Sequence, residues 1–477
     1  MRIFTRGLVT LAAAALVLPS LHAQTKPSIE DAFQRGQQLF QHTAPTGMVI
    51  VVVQNNDLFF QGYGRVSYDS EDHPGPDSVV RLCSITKILT TDLLTKLVLD
   101  KTVKFDDPLQ KYAPEGVTVP TRTPRGPAQH PITLLNLATH TAGLPREIAY
   151  PENGAAHFTF PDYKFRWDWM EHGGLRFDPG SAAHYSNIGF DLLADAMEKA
   201  TGKTYAQLFS ERTAQPLGLK ETTLSPTDAQ CSRLMQGARN EGPCTDTTPA
   251  AGSGGMYSTP RDMVRLLRYL LGIGSPAQPK EAQAVYFEPD QLKYMGGLAH
   301  AGDPTGLGLG WVIINDRNSP SMIVQKTGGG AGFLTYIALN PATHTGIFVA
   351  ETEGRRHASS NLFHEVNDML LAFSGLPPMP DEKEAHKPAT TAEAPKPGGV
   401  DPRKTRAAQK AGRPPVNKAA RLRARAHSTK KSVPATKKAA PKTRHAAPAK
   451  TKARPTTKST KKSTASSRKT TSRTKKK

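Results

Sequence analysis

"SMIVQKTGGGAGFLTYIALNPATHTGIFVAE", Ser321 to Glu351, holds three strand-like runs: Met322–Lys326, Phe333–Leu339 and Gly346–Ala350. A glycine run and an Asn-Pro turn link them. At the other end of the chain, "TGMVIVVVQNNDLFFQGYGRV" reads as two more strands, Met48–Val53 and Leu58–Gly62, joined by the Asn55-Asn56-Asp57 turn. Between the two ends the pattern is helical. "VVRLCSITKILTTDLLTKL" (Val79–Leu97) is an almost wholly apolar helix pattern, and "ITLLNLATHTAGLP" (Ile132–Pro145) a short helix stopped by Gly143 and Pro145. "IGFDLLADAMEKATG" and "STPRDMVRLLRYLLG" are amphipathic, and "NLFHEVNDMLLAF" makes a terminal helix. Strands at both ends with helices between predict an α+β domain. Its antiparallel sheet of about five strands joins N- and C-terminal segments, flanked by helices, with an inserted all-helical region.

Composition divides the 477 residues further. Arg2 and Arg6 precede an apolar run from Leu8 to Leu18, and Leu21-His22-Ala23 ends on a small residue, so residues 1–23 read as a signal peptide. No later stretch is apolar for long enough to cross a bilayer. The expected domain spans residues 24–376 of an exported, periplasmic protein. The net charge of +21 hides two opposite parts. From Pro402 to Lys477 there are 27 Lys and Arg and no Asp or Glu; the remaining 35 basic residues stand against all 41 acidic ones, a net −6. Residues 377–477 are rich in Lys, Ala, Pro, Thr and Ser and lack aromatics, so they read as a disordered basic tail. Alone, such a tail predicts sequence-independent binding to nucleic acid. The export signal argues instead for anionic envelope polymers or lipid headgroups.

Three cysteines in an exported chain suggest one disulfide and one thiol left over. Cys231 and Cys244 are the natural pair, close together around an Arg/Gly/Pro-containing loop. Cys83 reads as a small buried hydrophobe, with a reactive thiol the competing reading.

Ser84 and Lys87 spell S-x-x-K within the Val79–Leu97 stretch. The same letters recur at Ser428, Ser459, Ser466 and Ser472 in the tail, so the spelling alone carries little weight. On a helix the pair would share one face, and burial would favour the neutral amine, a base for the serine hydroxyl. A capping serine with a snorkelling lysine is the bland alternative. Two further stretches decide between them: Tyr185-Ser186-Asn187 before an amphipathic helix, and Lys326-Thr327-Gly328 at the end of a strand. S-x-x-K, Y-x-N and K-T-G in this order resemble the class C β-lactamase and penicillin-binding protein family. "HTAGLPRE" (His140–Glu147), "PGSAAHYSNIGFDLLADA", "GSGGMYSTPRDM" and "GLGLGW" (Gly306–Trp311) resemble it too, over about residues 30–376.

The resemblance implies a β-lactamase/transpeptidase-like fold and an acylating serine hydrolase acting on D-Ala-D-Ala peptides of peptidoglycan. β-Lactams would be substrates or inhibitors; a β-lactamase or small-ester hydrolase would use the same machinery. It implies Ser84 as nucleophile, Lys87 as its base and Tyr185 as general acid/base. Asn187 would bond the substrate amide, and Lys326 and Thr327 would receive a substrate carboxylate. The backbone N–H groups of Ser84 and Gly329 would form the oxyanion hole. No cofactor is implied. The glycines of Gly306–Trp311 do not spell a nucleotide-binding fingerprint. His140, His172, His184 and His364 lack metal-ligand spacing and read as structural. A non-catalytic envelope-binding protein acting through its tail is the rival from a different class.

Overall fold

A computed structural model describes residues 29–148, 159–238, 242–354 and 362–379. The expected signal peptide and the tail from residue 380 onward lie outside the described residues. One sheet organises the rest. Its strands are β1 (Gly47–Gln54), β2 (Asp57–Gly64), β3 (Pro304–Leu307), β4 (Val312–Ile314), β5 (Ile323–Gly330), β6 (Phe333–Asn340) and β7 (Thr345–Thr352). Their order is β2-β1-β7-β6-β5-β4-β3, every neighbouring pair antiparallel. The N-terminal strand is thus zipped to the C-terminal one, with Val51 opposite Phe348.

The five expected strands are present, and two short ones extend the sheet to seven. One of these ends inside the glycine-rich Gly306–Trp311 stretch and the other follows it, and the letters of that stretch lack strand alternation. The continuous apolar run of β1 follows from burial on both faces. Met48, Ile50 and Val52 pack under the terminal helices α1 (Ile29–Thr43) and α5 (Leu362–Phe373). Val49, Val51 and Val53 belong to the larger core shared with α2 (Thr86–Leu99), α3 (Asn187–Thr201) and α4 (Pro260–Leu270). Among the described residues no helix is long and apolar enough to cross a membrane.

Three expectations need correction. The Val79–Leu97 stretch is not one helix. Val80–Arg81 pairs with Tyr257–Ser258, Cys83–Ile85 forms a single 3₁₀ turn, and α2 begins only at Thr86. β-Branched Val79 and Val80 favour extended backbone, and Cys83 at φ 49° breaks the path of a continuous α-helix between Arg81 and Thr86. The inserted region is also not wholly helical. Besides that pair, Arg122–Thr123 meets Gly126–Pro127, and Ala183–His184 runs parallel to Met295–Gly296. The Ile132–Pro145 helix shrinks to Leu134–Ala138, capped by Thr133.

Candidate active site

The sheet brings β5 alongside the 3₁₀ turn that carries Ser84. The Thr335 hydroxyl of β6 donates to the Leu82 carbonyl at 3.0 Å, tying the strand pair to that turn. Only glycine fits at the crossing. A Cβ on Gly328 would lie 2.2 Å from Thr335 Oγ1 and 2.8 Å from the Leu82 carbonyl oxygen. The strand therefore runs close to Ser84, with Gly329 and Gly330 lining a cleft of about 360 Å³ that also contains Ser84, Arg146, Glu147 and Asn187.

Ser84 does not cap α2: the N-cap position is Ile85 and no side chain caps the helix, which disposes of the capping reading of this serine. Its Oγ stands 3.1 Å from Lys87 Nζ and 2.5 Å from the Tyr185 hydroxyl. Lys87 is wholly buried and also donates to Asn187 Oδ1 and to the Ser253 carbonyl, both at 2.6 Å. Desolvation is the largest influence on its amine and draws its pKa well below the usual lysine range. Asp191 opposes this from behind Ser253, whose N–H and hydroxyl each donate to it at 2.9 Å. Burial pushes the Asp191 carboxyl up in turn.

Tyr185 lies between cations and an imidazole. Lys87 Nζ, Lys326 Nζ and the Arg146 guanidinium stand 4.9, 5.1 and 4.7 Å from its ring centre. Negative charge developing on the hydroxyl is therefore met by two positive groups, Lys326 and Arg146, beside the neutral Lys87 amine. His140 stacks on the ring, centroids 4.4 Å apart. Burial drives its imidazole well below the ordinary histidine range, so it is neutral, and its Nδ1 accepts the Ser186 N–H at 3.1 Å. Lys326 is buried and drawn down to about 8, mainly by desolvation. Its ammonium donates to the Thr327 carbonyl at 2.7 Å.

The structure thus gathers Ser84, Lys87, Tyr185, Asn187 and Lys326 at one place, with Gly329 on the cleft wall. Thr327 is half-buried on β5 and makes no side-chain hydrogen bond among the described residues. Cys83, beside the nucleophile, is buried and its thiol pushed up to about 12 by desolvation, which removes it as a rival nucleophile. Cys231 and Cys244 are joined in a disulfide. From this loop the Gly242 and Pro243 carbonyls accept from Arg81, three residues before Ser84.

Sequence reasoning assigned no role to Arg146, Glu147, Asp191 or Ser253. Glu147 accepts a hydrogen bond from the Asn187 amide and so fixes its orientation. One signal was available: Asp191 and Asp195 fall on the buried face of an amphipathic helix, where carboxylates need a reason. Asp195 is explained by Arg166, which bonds it through Nε at 3.1 Å and Nη2 at 2.6 Å. Asp191 accepts both Ser253 donors behind Lys87 and lies in the field of Arg166 and Lys87. Ser253 acts on Lys87 through its carbonyl, which no letter of the sequence reports.

Known proteins resemble this chain over most of its length. The profile of the family described as "Beta-lactamase" matches residues 30–361. The D-alanyl-D-alanine-carboxypeptidase/endopeptidase AmpH of Escherichia coli K12 is 41% identical over 377 residues, covering 76% of this chain and 96% of that protein. A β-lactamase of Pseudomonas fluorescens is 24% identical, covering 66% of this chain and 90% of its own. Among solved structures, a β-lactamase/D-alanine carboxypeptidase from Yersinia pestis, crystallised with citrate, superposes with a TM-score of 0.67 at 41% identity. That match covers 72% of this chain and 97% of the other.

Proposed function

The chain belongs to the β-lactamase family and is a serine hydrolase, and from that premise we propose that it is a penicillin-binding D-Ala-D-Ala carboxypeptidase/endopeptidase of peptidoglycan peptides. The observation that carries the reading is the double approach to Ser84 Oγ, by Lys87 Nζ at 3.1 Å and the Tyr185 hydroxyl at 2.5 Å, at the floor of an open cleft. The AmpH likeness, at 41% identity across nearly the whole of that protein, supports the substrate class.

In this reading the neutral Lys87 amine takes the Ser84 proton as Oγ attacks the acyl carbon. The oxyanion is held by the Ser84 and Gly329 N–H groups. When the C–N bond breaks, Tyr185 gives its proton to the departing amine and is reprotonated from Lys87. Water then attacks the ester with Tyr185 or Lys87 as base, and Ser84 regains its proton. Asn187, oriented by Glu147 and Lys87, bonds the substrate amide. Lys326 and Thr327 offer a place for the terminal carboxylate.

The apolar run Leu8–Leu18 supports export to the periplasm, and the 27 basic residues after Pro402 support attachment to anionic envelope polymers or lipid headgroups. Incubation with defined muropeptides tests the activity. Wild type should release D-alanine and cleave cross-links while Ser84→Ala does neither; penicillin hydrolysis without D-alanine release would make the protein a β-lactamase instead.

A further inference from the structure

A second cleft, of about 420 Å³, lies apart from Ser84 and is built from three separate segments. Arg125, Arg176 and Lys293 line it, against a single carboxylate, Asp178, one of whose oxygens already accepts the Gln129 N–H at 2.7 Å. None of the three cationic groups forms an ion pair or side-chain hydrogen bond among the described residues, although the domain as a whole is net acidic. The remaining wall is aromatic. Phe177 and Tyr294 stack with centroids 5.4 Å apart, and Tyr294 leaves 46% of its surface exposed.

This cleft is coupled in position to Tyr185. Tyr294 accepts the Ala183 N–H at 2.8 Å, and Gly296 accepts the Tyr185 N–H at 3.0 Å. The backbone that forms its wall therefore continues, two residues on, into the backbone that holds Tyr185. Three unpaired cations at one rim call for an anionic ligand, and the flat aromatic wall gives it an apolar surface to lie on. Three cations carried on three separate segments can meet more than one carboxylate.

We propose that this cleft is a subsite for an acidic peptide bearing at least two free carboxylates. It receives the outer part of the substrate whose acyl group reaches Ser84, and this last step rests on the acylation reading given above. The basic tail cannot be the occupant, since its charge has the same sign.

The test compares wild type with Arg125→Gln/Arg176→Gln/Lys293→Gln and with a charge-matched control, Lys101→Gln/Lys104→Gln/Lys220→Gln, all as full chains so that the tail is common. Binding of fluorescent tetraglutamate is read by anisotropy. KM is read for D-alanine release from a D-Ala-D-Ala peptide with and without two added glutamates. The cleft variant should bind tetraglutamate about tenfold more weakly, the product of a few-fold from each exposed charge pair. Its KM should rise about tenfold for the acidic peptide alone, with penicillin labelling unchanged. Equal losses in the cleft and control variants, or none in either, would overturn the proposal. If wild type is not labelled by penicillin the acylation reading fails, yet the anisotropy comparison still decides what the cleft binds.

Discussion

Replacing Asp191 by Asn removes one buried charge and little else. The side chain keeps its shape and one oxygen, which can still accept the Ser253 N–H now held at 2.9 Å. The Ser253 hydroxyl, also 2.9 Å from the carboxylate, can turn to accept from the new amide. Lys87 keeps its three hydrogen bonds, to Ser84, Asn187 and the Ser253 carbonyl. What it loses is the counter-charge that favours its ammonium form. Opposite charges in close range shift a pKa by about 1–3 units, and with one peptide group intervening the low end applies, about one unit or 1.4 kcal/mol. The sign is fixed: loss of an anion lowers the lysine pKa, so the neutral base persists to lower pH. In wild type the acid limb of the acylation profile belongs to the Lys87–Asp191 pair as a unit; in the variant it belongs to Lys87 alone. The second-order rate constant for fluorescent penicillin should therefore keep its shape, with its acid limb about one unit lower. Below the limb the variant should acylate up to about tenfold faster, and on the plateau a few-fold slower, because a weaker base accepts the proton less readily. A limb that stays in place, or moves to higher pH, would refute Lys87 as the base and Asp191 as its counter-charge.

Three other outcomes follow from the same structure. Gly328→Ala places a Cβ 2.2 Å from Thr335 Oγ1 and 2.8 Å from the Leu82 carbonyl, so β5 must back away from the nucleophile turn. Penicillin labelling should fall about 100-fold with the fold retained by circular dichroism, and labelling at the wild-type rate would contradict the close fit. Glu351 is 1% exposed, and its pKa is raised by burial from 4.5 to about 7, the Thr43 hydroxyl nearby being given to the Leu39 carbonyl at 3.1 Å. Its folded value exceeds the unfolded one, so stability falls as pH rises from 4.5 towards 7 and stays reduced above. Glu351→Gln should then be about 1–3 kcal/mol more stable than wild type at pH 8 and no more stable at pH 4 in urea titrations; an equal difference at both would refute the assignment.

Much of this architecture was legible because the two chain ends carry unmistakable strands. The runs around Val51 and Phe348 are apolar and β-branched over lengths that suit a sheet buried on both faces. β3 and β4 were not legible, since glycines at 306, 308 and 310 interrupt any alternation and their pairing depends on β5 as a template. Val79–Arg81 misled for a different reason. Apolar letters continue into α2 without a break, and only the left-handed Cys83, a conformation no letter announces, separates strand from helix. At the site, side chains that follow in fixed order along the chain could be named: Ser84 and Lys87, Tyr185 and Asn187, Lys326. Groups that act through backbone, such as the Ser253 carbonyl, could not. Nor could the basic cleft, whose Arg125, Arg176 and Lys293 are neighbours only after folding.

The central claim is that Ser84 is the nucleophile, and the covalent adduct tests it most directly. After incubation with benzylpenicillin, intact-protein mass spectrometry should show one penicilloyl group per chain, and peptide mapping should place it on Ser84. The Ser84→Ala protein, shown folded by its thermal melt, should carry none. An adduct on Cys83 or in the tail, or no adduct on folded wild type, would contradict the account.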